Sequence, residues 1–170
     1  MLRIIRLFFV FLAACVLLAV PRHTQALDKN KYSQIDVTPF EVADGVPFPP
    51  DYLATMTVEL VGQLEAIKKF KRVARAGEGL DPALTTVRLS GKVTEFQAGN
   101  RAVRYFVGFG AGKTKIVAHV KVVDAGSGEL LFEDDVDGKV VLGGAIKGES
   151  VGATRGLAKE VAKIAKQRLF

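Results

Sequence analysis

Side chains able to carry chemistry are scarce in this 170-residue chain, which has one cysteine, Cys15, and two histidines, His23 and His119. Cys15 lies within the N-terminal apolar segment, so the remainder of the chain has no internal disulfide and no thiol nucleophile, and its stability rests on packing. His119 is the only histidine beyond residue 26. That excludes a histidine cluster for zinc and leaves a single imidazole for acid–base work. Its neighbours at strand spacing, Lys115 and Lys121, read as a solvated row, so the plain expectation is a solvated or packed ring. The serines, Ser33, Ser90, Ser127 and Ser150, include no Gly-x-Ser-x-Gly elbow. Ser127 comes nearest, in Gly126-Ser127-Gly128, and a hairpin turn accounts for it. No catalytic, cofactor-binding or metal-binding residue is expected.

Long apolar runs are also missing. The longest, residues 7–20, falls short of the roughly 20 residues that span a bilayer as a helix. Arg3 and Arg6 precede it and Thr24-Gln25-Ala26 follows, the charged, apolar, small-residue order of a secretory leader over residues 1–26. Cleavage after Ala26 is the expected route and would leave a single domain, 27–170. Two alternatives stay open. Leu12-Ala13-Ala14-Cys15 matches a lipobox, after which Cys15 would be acylated, but only residues 7–11 separate it from Arg6. The third route is an uncleaved anchor. The protein is thus expected to be exported to the periplasm, or anchored in the envelope membrane if Cys15 is lipidated.

Charge excludes a further class. The chain carries 24 basic and 18 acidic residues, and removing Arg3, Arg6 and Arg22 with residues 1–26 reduces +6 to 21 − 18 = +3. So small an excess does not suit nucleic-acid binding. No internal repeat or low-complexity block divides the chain, and its length suits one core.

The hydrophobic pattern predicts a strand over 33–42, with Ile35, Val37 and Phe40 on one side and the ladder disturbed at Pro39. Residues 43–50 read as a turn and Asp51 as the start of a helix. Leu53, Met56, Leu60, Leu64 and Ile67 form its apolar stripe, and Lys68, Lys69 and Lys71 stand at its end. A short strand over 72–76 would complete a parallel crossover. From residue 84 the period becomes alternating: Val87, Leu89, Gly91 and Val93 share one face, and Phe96 is out of phase, which implies a shift at Thr94-Glu95. The strand over 114–124 places Ile116, Ala118, Val120 and Val122 inward. Residues 125–128 turn into a strand over 129–140, with loop glycines supplying positive backbone dihedrals. Ser150 is positioned to cap a last helix with Val151, Thr154, Leu157, Val161, Ile164 and Leu169 or Arg168 inward. The fold class is α+β, a two-layer sandwich with a mixed sheet of about five strands and two helices on one face.

Two motifs invite a ligand reading. Gly112-Lys113-Thr114 has the end of a P-loop, but Val107 stands where its first glycine belongs, Gly108 is one residue late, and a strand pattern comes next. A conformational loop requiring Gly108, Gly110 and Gly112 is the plainer reading. A surface anion nest using Lys113, Lys115, Arg101 and Arg104 lies between the two. Glu133, Asp135, Asp137 and Gly138 match part of a calcium loop, but its twelfth place is Gly144. In a strand these carboxylates would share one solvated face. The basic row Arg155, Lys159, Lys163 and Lys166 on the last helix is one further surface, for anionic lipid or an acidic partner.

The central block resembles a known family. Residues 89–96, Gly99-Asn100-Arg101, residues 108–113 and residues 122–129 are similar to the pattern of the bacterial family called domain of unknown function 4410, over roughly residues 33–169. The resemblance implies an exported or lipid-anchored envelope protein whose strand–helix–strand plan is similar to small envelope assembly domains. It implies no activity. Two functions are carried forward: a noncatalytic envelope module that associates with itself or with an envelope protein, and a periplasmic small-ligand or anion-binding protein using the loop 108–113.

Overall fold

Pro39 divides the first strand in two. The computed structural model describes residues 30–98, 114–139 and 149–170. Within it β1 spans Gln34–Val37 and β2 spans Glu41–Val42, both parallel to β4, Thr86–Gln97. Val37 lies opposite Leu89 and Glu41 opposite Lys92, so four steps on one side answer three on the other. A proline has no N–H for the ladder, and the extra residue is absorbed beside it. Thr38 closes the gap by donating its amide (2.9 Å) and its hydroxyl (3.1 Å) to the Leu89 carbonyl. The buried Phe40 ring then lies against Gly91, where a Cβ would collide with it.

Helix α1, Pro50–Ala66, begins at a proline, whose fixed φ and missing N–H suit a first helical position. Asp51 is therefore not the cap that the sequence suggests. It sits inside the first turn, where its charge still complements the helix dipole. Met56, Leu60 and Leu64 are buried as the stripe predicts. The helix stops because Lys68 adopts φ 55° while its amide bonds to the Glu65 carbonyl, so Lys68, Lys69 and Lys71 lie beyond the helix and not in its last turn. Strand β3, Arg72–Arg75, returns parallel to β1 as its neighbour, the crossover expected from the sequence.

Two buried polar residues of β1 hold the connection from β3 to β4. The Gly77 amide donates to Asp36 Oδ1 at 2.8 Å, and Arg88 Nε lies 3.2 Å from Asp36 Oδ2. Gln34 accepts from the Asp81 amide at 3.0 Å and donates to Thr86 Oγ1 at 2.7 Å. These bonds satisfy groups whose burial would otherwise be costly.

Strand β5, Lys115–Asp124, is antiparallel to β4, and the register shifts between Val93 and Glu95 as the alternation requires. Beyond the shift Phe96 rejoins the core side and meets Phe48 edge-on, with ring centroids 5.1 Å apart. Asp124 shapes the turn into β6, Leu130–Lys139. Its Oδ1 accepts from the Gly126 and Ser127 amides at 2.9 and 3.0 Å, and its Oδ2 from Tyr32 at 2.9 Å. Of the two loop glycines only Gly128 has a positive φ, 74°, so Gly126 does not play the conformational role expected of it.

The last helix, α2, spans Glu149–Leu169, which places Ser150 inside its first turn and not before it. Thr154, Leu157, Val161 and Leu169 are buried as predicted and Arg168 is exposed. Ala153, Ala158, Ala162 and Ala165 are buried too, and Ala153 lies against Gly138 of β6. The sheet runs β3-β1-β4-β5-β6, with β2 beside β4, and both helices cover one face of it. This is the two-layer α+β sandwich with a mixed sheet.

Candidate functional site

The sheet face turned away from the helices is built from charge. Alternation on β5 sends Ile116, Ala118, Val120 and Val122 into the core and therefore Lys115, His119 and Lys121 outward. Register puts Lys92 and Asp135 on either side of His119, and Ser90 and Glu133 on either side of Lys121. His119 Nδ1 lies 2.9 Å from Asp135 Oδ1, and Nε2 lies 3.6 Å from Glu133 Oε2. The hydrogen bond to Asp135, aided by the charges of Asp135 and Glu133, raises the imidazole above its ordinary range. With its ring side chain 44% exposed and both nitrogens turned to carboxylates, His119 is a solvated cross-strand ion pair. Lys115 completes the row through Glu95 Oε2 at 2.8 Å.

The acidic run lies along an edge of the sheet. Glu133, Asp135 and Asp137 occupy alternate positions of β6 on the outward face, so they do not converge as ligands of a calcium loop would. Gly138 makes no sharp turn. It faces α2, where a Cβ would stand 2.7 Å from the Leu157 Cβ and 2.9 Å from the Ala153 carbonyl oxygen. β6 ends the sheet order, and among the described residues no strand pairs with its outer side. A shallow groove runs along that edge, lined by Asp135, Asp137, Gly156, Lys159 and Ile164.

The other edge is built differently. β3 is four residues long, and its end folds back through the Arg75–Glu78 bridge and the positive φ of Ala76 and Gly77. A short, charged edge limits uncontrolled pairing, and a ten-residue edge is the more accommodating of the two.

The remaining sequence candidates are only partly reached. Cys15, Ala26, Gly108, Gly110, Gly112 and Lys113 lie outside the described residues. Strand β5 begins directly after Gly112-Lys113-Thr114, where a P-loop needs a helix. Ser127 Oγ accepts from the Glu129 amide at 3.2 Å within the hairpin turn. The basic row of α2 is partly neutralised within the chain: Arg155 forms a two-pronged pair with Glu59 of α1, and Lys163 pairs with Glu160. Sequence reading missed the His119–Asp135 pair because the two lie 16 positions apart on strands whose register no local pattern states.

Solved structures share this architecture at low identity, a likeness of fold alone. PelC from Paraburkholderia phytofirmans, solved as a dodecamer, superposes with a TM-score of 0.51 at 17% identity, covering 80% of this chain and 88% of that one. A variant of the same protein, also a dodecamer, gives 0.54 at 15% identity, with 83% and 91% covered. Protein XCC0632 from Xanthomonas campestris, of the family DUF330, gives 0.52 at 12% identity, with 80% and 83% covered. No curated protein matches the chain. The family model described as Domain of unknown function (DUF4410) matches residues 26–144, and the chain belongs to that family.

Proposed function

We propose that this chain is an exported, noncatalytic envelope protein that acts by association, with itself or with an envelope protein. The observation that carries the reading is the long outer edge of β6, open among the described residues, beside the short and folded-back edge of β3. An edge of that kind offers backbone donors and acceptors to another chain. The leader-like residues 1–26 place the protein outside the cytoplasm in this reading. The dodecameric state of PelC, a protein of similar fold, supports self-association as its first form.

The chemistry at His119 is consistent with a structural role. Its nitrogens are occupied by Asp135 and Glu133 on an exposed face, which favours a charged ring over a free base. Crosslinking in intact cells with subsequent mass analysis tests the proposal. A defined homo-oligomer or a complex with an envelope protein is expected. A monomer without crosslinked partners, whose cellular role is lost in His119→Ala alone, would point to chemistry instead.

A further inference from the structure

The two edges of the sheet carry opposite charge. On the β3 side Lys68, Lys69, Lys71, Arg72 and Arg75 are all exposed, with Glu65 and Glu78 the acids nearest in the chain, each three positions outside the run. On the β6 side Glu133 and Asp135 are exposed, Asp134 and Asp137 are half-buried, and Lys159 of α2 is the base in the groove beside them. The edges also run the same way. β3, β1 and β4 are mutually parallel, β5 opposes β4 and β6 opposes β5, so β6 and β3 point in one direction. Rotating a second copy about an axis along the strands therefore brings its β3 beside β6 in parallel orientation.

Backbone groups are available for that pairing. The amides of Arg72 and Ala76 bond to the Ser33 and Val37 carbonyls of the β1 side, so the two-residue alternation turns the amide of Val73 to the outer side, while Arg75 is engaged by the bridge to Glu78 that ends the strand. Arg72 lies opposite Gln34 and Ala74 opposite Asp36, which puts Arg72 on the sheet face away from the helices, the face that carries Glu133 and Asp135 on β6.

We propose that the acidic outer edge of β6 receives the basic outer edge of β3 from a second copy of this chain, continuing the sheet head to tail. The inference rests on the association reading and names its interface. Because the two contacting surfaces differ, the contact is heterologous, and its repetition gives a ring where the rotation between copies closes and an open filament where it does not. Opposite charges fix the order of the edges and oppose β6–β6 and β3–β3 pairing.

Charge reversal tests this on the full chain. Lys71→Glu with Arg72→Glu makes both edges acidic, and Glu133→Lys with Asp135→Lys makes both basic. Each pair alone should lower the oligomer population roughly tenfold at fixed concentration, as several exposed ion pairs acting together would. Mixing the two variants, or placing all four substitutions in one chain, should restore it, because opposite edges then face each other again. Native mass spectrometry gives the populations, and thermal melting confirms that each variant is folded. An oligomer indifferent to both reversals, or one weakened by each and restored by neither combination, overturns the edge-to-edge contact while leaving self-association standing. A wild-type chain that crosslinks only to a different envelope protein overturns it too. A wild-type chain that is monomeric and without any partner overturns the association reading itself.

Discussion

Gly138 of β6 and Leu157 of α2 occupy a contact with no room for a side chain: a Cβ on the glycine would stand 2.7 Å from the leucine Cβ. The Ala153 carbonyl at 2.9 Å closes the same space from the backbone, so relief would require moving the helix and not one rotamer. Gly138→Val should therefore destabilise the fold by about 1–3 kcal/mol, the range for overpacked cores. Gly62, in the middle of α1, has nothing within 4 Å of a would-be Cβ. Gly62→Ala should raise stability by about 0.5–1 kcal/mol through helix propensity. Urea unfolding of the two variants checks both signs, and equal effects would refute the packing account.

Asp124 joins the hairpin turn to the start of the chain's described part. The Ser127 amide, with Tyr32, the Gly126 amide and Lys31, holds its carboxyl far below the usual carboxylate range, against a smaller opposing effect of burial. A depressed carboxyl contributes stability above its unfolded pKa, about 3.9, and that contribution is lost as pH falls through the lower folded value. Asp124→Asn should cost about 1–3 kcal/mol at pH 7. The gap between wild type and variant should narrow steadily as the pH is taken below about 4. A gap that stays constant to pH 2 would show that the charge is not what holds the turn.

His119 should titrate above the free-imidazole value of about 6.5 because Asp135 bonds to its ring. Its contribution to stability is present in full below that value and fades as pH rises through the higher folded pKa. The ring is 44% exposed, so solvent screening holds the effect to about 0.2–1 kcal/mol. NMR titration of the ring protons should place the midpoint lower in Asp135→Asn, with a smaller shift in Glu133→Gln, whose carboxylate is 3.6 Å away. Equal midpoints in all three proteins would remove the pair from the picture.

Processing is read from the leader alone. The proposal is cleavage after Ala26, with the mature chain beginning at Leu27 and Cys15 removed unacylated. Intact-mass measurement of protein from native envelopes decides it. A species beginning at an acylated Cys15 would put the protein on a membrane instead.

Alternation and helical spacing made most elements legible. Ile35, Val37, Val87, Leu89, Val93 and the four inward residues of β5 are buried as their period implies, and the shift at Thr94 is implied by Phe96 falling out of phase. Errors gathered at ends and turns: Asp51 for the start of α1, the lysines for its end, Ser150 for the start of α2 and Gly126 for the turn. Capping depends on backbone geometry outside the periodic stretch, and a proline at the first position or a residue at positive φ displaces the more obvious candidate. Gln34 and Asp36 were illegible for another reason. Polar residues at alternate strand positions read as outward, and only the loop that folds over β1 gives them buried partners.

The sequence by itself determined the family, the order of strands and helices and which face of each turns inward, because those properties depend on neighbours a few positions away. Only the tertiary structure decided that β1 enters between β3 and β4, leaving a basic edge at one side of the sheet and an acidic edge at the other. It also decided that His119 meets Asp135 and that Gly138 admits α2. Those contacts depend on pairing and register between segments far apart in the chain, where no local period reaches.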